Sequence, residues 1–205
     1  MKAEPRLRIR RSGPLAGTVT IPGAKNSVLK LMASTLLADG EFILTNVPNI
    51  TDVGTMSELL EAVGVRSQMV APGVLQMVTG SHITPVAPAE LVERIRASVN
   101  LLGPLLGRFG RVTLAMPGGD DFGSRPIDMH IKALEAMGAE FTIRRDVIEA
   151  RADRLHGAPI ALEFPSVGAT ENILTAAVHA KGITVIDNAA REPEISDLCD
   201  FLVGM

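Results

Sequence analysis

The stretch Val99-Asn100-Leu101-Leu102-Gly103-Pro104-Leu105-Leu106-Gly107-Arg108-Phe109-Gly110 leads directly into Arg111-Val112-Thr113-Leu114-Ala115-Met116. Its first part is apolar at helical spacing and stops at glycine, the residue best suited to a left-handed helix C-cap. Its second part, short and partly β-branched, reads as a strand. The same order occurs twice more. Leu29 to Gly40 precedes Glu41-Phe42-Ile43-Leu44-Thr45-Asn46, and Ile173 to Gly182 precedes Ile183-Thr184-Val185-Ile186-Asp187-Asn188. Such recurrence marks a repeated supersecondary unit.

Each unit continues through a loop with Pro and Asp to a second helix. Thr51-Asp52 precedes Met56 to Gly64, Asp128 precedes Met129 to Gly138, and Ser196-Asp197 precedes Leu198 to Met205. Acidic residues there predict ordinary N-capping. The first two of these helices close alike, as Leu60-Glu61-Ala62-Val63-Gly64 and Leu134-Glu135-Ala136-Met137-Gly138. In that register Met205 matches Val63 and Met137, so the next residue should be the capping glycine and the third unit reads as interrupted. Alternating strands and helices predict an α/β fold with helices packed on sheets. Thr84-Pro85-Val86-Ala87-Pro88 reads as a turn between the first two units.

Composition narrows the function classes. The 205 residues are 46% hydrophobic but only 3% aromatic, so aliphatic side chains and Met must build the core. A net charge of −3 argues against a general nucleic-acid binder, which needs a basic face. The one basic cluster, Arg6, Arg8, Arg10 and Arg11, alternates with Leu7 and Ile9; an exposed edge strand is its plainer reading and an acidic-ligand site the alternative. A single cysteine, Cys199, excludes an intrachain disulfide. No apolar run reaches membrane-spanning length, and Lys2 to Arg11 lacks the apolar core of a signal peptide. A cytoplasmic protein is expected.

Four clusters could carry chemistry. Pro22-Gly23-Ala24-Lys25-Asn26-Ser27 joins a β-like run to a helix; Lys25 could meet an anion there, although a turn with a solvated lysine explains the motif alone. In Arg94-Ile95-Arg96-Ala97-Ser98 a cation sits against the helix dipole, which suits an anion partner as well as it suits a surface arginine. The long loop from Met116 to His130 holds Asp120, Asp121, Arg125, Asp128 and His130. Arg125 could clamp a phosphate and a carboxylate could move protons, or the loop is simply solvated and Asp128 caps a helix. Pro165-Ser166-Val167-Gly168-Ala169-Thr170 offers backbone N–H groups and hydroxyls at a helix start, without the lysine of a P-loop. Each unit thus offers an anion-friendly helix start.

In order along the chain, Gly23-Ala24-Lys25-Asn26, Arg96-Ala97-Ser98, Pro117-Gly118-Gly119, Gly123-Ser124-Arg125-Pro126, Ser166-Val167-Gly168-Ala169-Thr170 and Asn188-Ala189-Ala190-Arg191-Glu192-Pro193-Glu194 resemble the motifs of the UDP-N-acetylglucosamine enolpyruvyl transferases. The likeness runs from about Leu7 to Met205. It implies βαβαββ units in an inside-out α/β barrel, with one of two domains present and incomplete. Residues 1–21 would pack with the missing second domain, and 22–205 would form the first. The implied reaction transfers the enolpyruvyl group of phosphoenolpyruvate to the 3′-hydroxyl of UDP-N-acetylglucosamine and releases phosphate, without metal or organic cofactor. By motif position Lys25, Arg96 and Arg125 resemble the phosphoenolpyruvate ligands, and Asn26 a sugar contact. Arg125, Pro126, Ile127, Asp128, Met129 and His130, with Ser166, Val167 and Gly168, resemble the nucleotide-diphosphate cradle.

Two positions depart from the family pattern. Phe164 stands where many relatives carry a lysine that contacts the nucleotide. Asp120 follows Pro117-Gly118-Gly119 where many relatives have the cysteine that fosfomycin alkylates. Aspartate can serve as the acid but is a poor nucleophile beside a thiolate, so fosfomycin resistance is expected. The rival reading is the related shikimate 3-phosphate enolpyruvyl transferase, which usually has Gly-Ser-Lys-Ser in place of Gly23-Ala24-Lys25-Asn26. A non-catalytic UDP-sugar-binding module is the further alternative, should the protein stop at Met205.

Overall fold

The computed structural model describes residues 6–118 and 126–205. Unit one contains α1 (Lys25–Ser34), a 3-10 turn (Thr35–Leu37), β1 (Gly40–Leu44), α2 (Thr51–Val63), β2 (Arg66–Ala71) and β3 (Val74–Thr79). Unit two opens with the short α3 (Ala89–Val92) and a 3-10 segment (Arg96–Leu101). It continues through α4 (Leu102–Phe109), β4 (Arg111–Ala115), α5 (Asp128–Ala136), β5 (Glu140–Arg144) and β6 (Val147–Arg151). After β7 (Pro159–Ala161), unit three supplies α6 (Val167–Ala177), β8 (Val185–Asp187) and α7 (Pro193–Gly204).

The repeat predicted from sequence is present in the pairing. Units one and two each form an antiparallel three-stranded sheet, ordered β1-β3-β2 and β4-β6-β5. Connections between units also match: Val86 bridges Thr113 in parallel, as β7 pairs in parallel with β8. The Pro-rich turn therefore does more than turn, because Ala87 N–H donates to the Thr113 carbonyl and Thr113 N–H to that of Pro85. Apolar stripes explain the layering. At the centre α4 packs on α6, and α1 packs on the 3-10 segment that leads into α4, while β2 and β5 lie largely exposed at the outside. Helices inside and sheets outside make the inside-out α/β arrangement.

Close helix approach depends on small residues. A Cβ on Gly103 would lie 2.2 Å from Thr175 Oγ1, and one on Gly107 would lie 3.2 Å from the Ala176 carbonyl. The two glycines, one turn apart, let α4 press against α6.

Several sequence expectations change. Gly64, Gly110 and Gly138 take left-handed φ values of 112°, 65° and 97° beside their helix ends. Gly40 does not cap α1, which tightens into the 3-10 turn and leaves through an extended Ala38. Gly182 also does not cap its helix, since α6 ends at Ala177. The second helices are not side-chain capped: the N-cap positions are Ile50, Ile127 and Glu192, and α7 begins before Ser196. Asp52 and Asp128 instead sit in the first turn, where their charge meets the helix dipole. Residues 6–24 form no strand, and Leu7, Ile9, Leu15, Val19 and Ile21 are each more than three-quarters exposed. The edge-strand expectation for the arginine cluster is not met, because among the described residues no strand lies alongside to pair with it.

Candidate functional site

The three units present different helix starts. The second helices α2, α5 and α7 carry Asp52, Asp128 and Glu194 in their first turns. By contrast α1, the 3-10 segment at Arg96 and α6 have no acidic residue there. Positive ends left without a carboxylate are the ends suited to an anionic ligand. These are the starts that carry Lys25, Arg96 and Ser166.

Lys25 opens α1, whose N-cap residue Ala24 contributes no side-chain hydrogen bond. A cation at that position opposes the dipole. It is balanced by Asp52, 3.1 Å away, in a pair exposed on both sides. Asn26 is exposed in the same turn. Gly23 is small for a protein contact: its N–H donates to the Asn46 carbonyl, and a Cβ would lie 2.0 Å from that oxygen. Ser27 donates to Asp197 of α7, and with Glu194 this makes the α1–α7 cleft acidic. The cleft therefore suits an anion poorly.

Arg96 is half-buried and donates to the Pro117 carbonyl at 3.1 Å. Gly118 lies tight against the Glu93 backbone, where a Cβ would approach the carbonyl oxygen to 1.9 Å. Residues 117–118 are thereby anchored on the segment that leads into Arg96. Arg94 is occupied elsewhere, in a surface pair with Glu58 at 2.6 Å.

At α6 the hydroxyl oxygens are already engaged. Ser166 Oγ accepts from Ala169 N–H at 3.3 Å as an N-cap. Thr170 Oγ1 donates to the Ser166 carbonyl at 2.8 Å and accepts from Ala190 N–H at 3.1 Å. The donors left for a ligand at this start are the backbone N–H groups of Val167 and Gly168 and the Ser166 O–H, since Ser166 uses only its oxygen in the cap. Phe164 is exposed beside this turn.

His130 links α5 to α6. Its Nδ1 lies 2.9 Å from Asn172 Nδ2, and Asn172 Oδ1 accepts from Gly103 N–H at 2.7 Å. An amide donor at Nδ1 requires that nitrogen to be unprotonated, so the neutral ring carries its proton on Nε2. A Cβ on Gly168 would lie 3.2 Å from Nε2, so glycine is what admits the ring there. The His130 pKa is lowered to about 4, by burial first and by the Arg96 charge next, with Asp128 opposing. Histidine thus sits beneath the candidate cradle rather than on its surface. Pro126 is exposed, Ile127 and Met129 are buried, and Asp128 pairs with Lys132 at 3.6 Å. Asp120 and Arg125 lie outside the described residues.

A stability prediction follows from His130. Above the unfolded-chain pKa of about 6.5 both states are neutral, and between 6.5 and 4 only the unfolded chain takes the proton. Stability should therefore fall as pH drops through that window, by about 3 kcal/mol from this group. Urea melts at pH 7 and pH 4.5 should show a smaller decline for His130→Gln than for the parent; equal declines would refute the assignment.

Sequence reasoning missed Asn172 and the buried residues beneath the starts. Their one signal was polar side chains on helix faces that must be buried.

Arg96, His130 and Gly168 are therefore brought together, with α1 packed on the Arg96 segment. The fold is that of the enolpyruvyl transferases: NikO from Streptomyces tendae superposes with a TM-score of 0.81 over 92% of this chain and 44% of its own, at 21% identity. EPSP synthase from Acinetobacter baumannii gives 0.69 over 88% of this chain and 42% of its own, at 19% identity. A sequence model of the EPSP synthase (3-phosphoshikimate 1-carboxyvinyltransferase) family matches residues 9–205, and the chain belongs to that family. Within it, the chain is 48% identical to the UDP-N-acetylglucosamine 1-carboxyvinyltransferase of Jannaschia sp. (strain CCS1) over 98% of its length, and 50% identical to that of Granulibacter bethesdensis over 98%. It is 52% identical to the protein of that name from Corynebacterium jeikeium over 93%. The chain spans about half the length of these curated relatives. Among the described residues no helix is long and apolar enough to cross a membrane.

Proposed function

We propose that the full-length protein transfers the enolpyruvyl group of phosphoenolpyruvate to the 3′-hydroxyl of UDP-N-acetylglucosamine, the first committed step of peptidoglycan synthesis, in the cytoplasm. The observation that carries this reading is identity near 50% to transferases of that name along almost the whole chain. The helix starts support it, because both substrates are anionic and Lys25 and Arg96 stand at helix starts whose own first turns hold no acidic residue.

The chemistry balances without a cofactor. An acid protonates C3 of phosphoenolpyruvate, and the sugar hydroxyl adds to C2 as its own proton departs. The tetrahedral intermediate then loses a C3 proton and breaks the C2–O bond to phosphate, which restores the double bond. Lys25, Arg96 and Arg125 hold the carboxylate and phosphate charges. Asp120 supplies the C3 proton. Asn26 meets the sugar, and Arg125 to His130 with Ser166 to Gly168 surround the diphosphate, with Val167 and Gly168 offering N–H groups and His130 supporting from below.

Residues 1–21 pack with the half of the protein that the relatives add. Supporting this is the exposure of Leu7, Ile9 and Leu15, apolar side chains that none of the described residues covers. The isolated 205-residue chain should be inactive.

A second reading, transfer to shikimate 3-phosphate, draws on the family's description as 3-phosphoshikimate 1-carboxyvinyltransferases. Phosphate release by the full-length protein decides between them. Turnover with UDP-N-acetylglucosamine and none with shikimate 3-phosphate is expected; the reverse would replace the proposal.

A further inference from the structure

Lys30 lies on the buried face of α1, with its side chain only 1% exposed. Its Nζ is 2.5 Å from Oε1 of Glu171 on α6, itself 8% exposed. The contact is a close ion pair off the axis of a good hydrogen bond, and among the described residues the ammonium has no hydrogen-bond partner. Asn100, in the 3-10 segment of unit two, lies close enough to Glu171 to favour its charged form. Burial raises the Glu171 pKa, the Lys30 and Asn100 contacts oppose that rise, and Glu194 adds to it.

Position gives these three residues a common meaning. Lys30 follows Asn26 by four residues, Asn100 follows Arg96 by four, and Glu171 follows Val167 by four. Each lies about 6–8 Å below a candidate ligand residue on its own helix. The three helices come from three different units, so the contact joins the three anion-facing starts directly beneath the site. A buried ion pair adds little net stability compared with apolar residues of the same volume, because desolvation offsets the attraction. What it does impose is a fixed depth and rotation between the helices it joins.

We propose that Lys30, Glu171 and Asn100 form a positioning network that holds the helix starts bearing Lys25–Asn26, Arg96 and Val167–Gly168 at the spacing needed to grip one anionic substrate. The kinetic part of this inference rests on the enolpyruvyl-transfer reading; the binding part does not.

The test uses the full-length protein and the double variant Lys30→Met/Glu171→Leu, which replaces the pair by apolar side chains of similar volume. Expected is a melting temperature at or above the parent's, with KM for phosphoenolpyruvate raised roughly 10- to 100-fold. Calorimetric affinity for inorganic phosphate should fall in parallel. Parental KM and parental phosphate affinity in the folded variant would overturn the network. Should the double variant fail to fold, Glu171→Gln keeps the volume and the Asn100 contact, and the same two measurements should move several-fold. Phosphate binding that weakens in the variant, in a parent that does not turn over UDP-N-acetylglucosamine, would sink the reaction and leave the network standing. A parent that neither binds phosphate nor turns over would sink both.

Discussion

Replacing Lys25 by methionine should lower kcat/KM for phosphoenolpyruvate by about 10²- to 10³-fold in the full-length protein, the loss typical when one preorganised charge is removed from an anion site. Stability should barely change, because the Lys25–Asp52 pair is exposed on both sides and such surface pairs contribute about 0–1 kcal/mol. The two effects separate because Lys25 has little to hold in the free protein. It stands at a helix start with no side-chain cap, and among the described residues its ion-pair partner is Asp52, 3.1 Å away. A bound phosphate or carboxylate would compete with Asp52 for the ammonium, gaining from the helix dipole as well. Steady-state kinetics paired with a thermal melt check the prediction. Parental kcat/KM in Lys25→Met would remove this residue from the site.

How far the sequence was legible depends on whether the deciding signal was local. The repeat was visible because each unit writes the same local pattern of apolar helix, glycine and strand. Helix stops at Gly64, Gly110 and Gly138 were readable for the same reason, since a left-handed φ is a property of one residue. Those at Gly40 and Gly182 were not, because α1 winds into a 3-10 turn and α6 ends early at Ala177. Capping failed similarly: Asp52 and Asp128 have the right chemistry, but the chain enters each helix one or two residues sooner, at Ile50 and Ile127. At the site, Lys25, Arg96 and Ser166 could be singled out from charge and small-residue context. Nothing local showed that Ser166 and Thr170 engage their hydroxyl oxygens inside the protein, or that His130 is held neutral by Asn172. Lys30 and Glu171 meet across 141 positions of sequence, and only the packing of unit one on unit three reveals why both are charged.

Asp120→Cys should convert the full-length protein from insensitive to fosfomycin to fully and irreversibly inactivated by it. The drug is an epoxide, and inactivation requires a nucleophile to form a bond to an epoxide carbon while the C–O bond opens and the oxygen takes a proton. A thiolate does this readily and a carboxylate does not. Asp120 itself lies outside the described residues, but the chain reaches it from Pro117 and Gly118. The first of these accepts from Arg96, and the second is pressed on the Glu93 backbone. Pro117 and Gly118, the last described residues before it, are thus anchored on the segment that carries Arg96. If its task is proton transfer to C3, Asp120→Asn should lose about 10²- to 10⁴-fold in kcat, whereas Asp120→Cys should keep turnover because a thiol can also give up a proton. Time-dependent loss of activity with fosfomycin, and the mass of the labelled peptide, distinguish the variants. Inactivation of the unmodified protein with label on residues 116–130 would refute the assignment, as would Asp120→Asn with parental kcat. Sensitivity and turnover are expected to part company at this one side chain, since alkylation needs a nucleophile and catalysis needs only an acid.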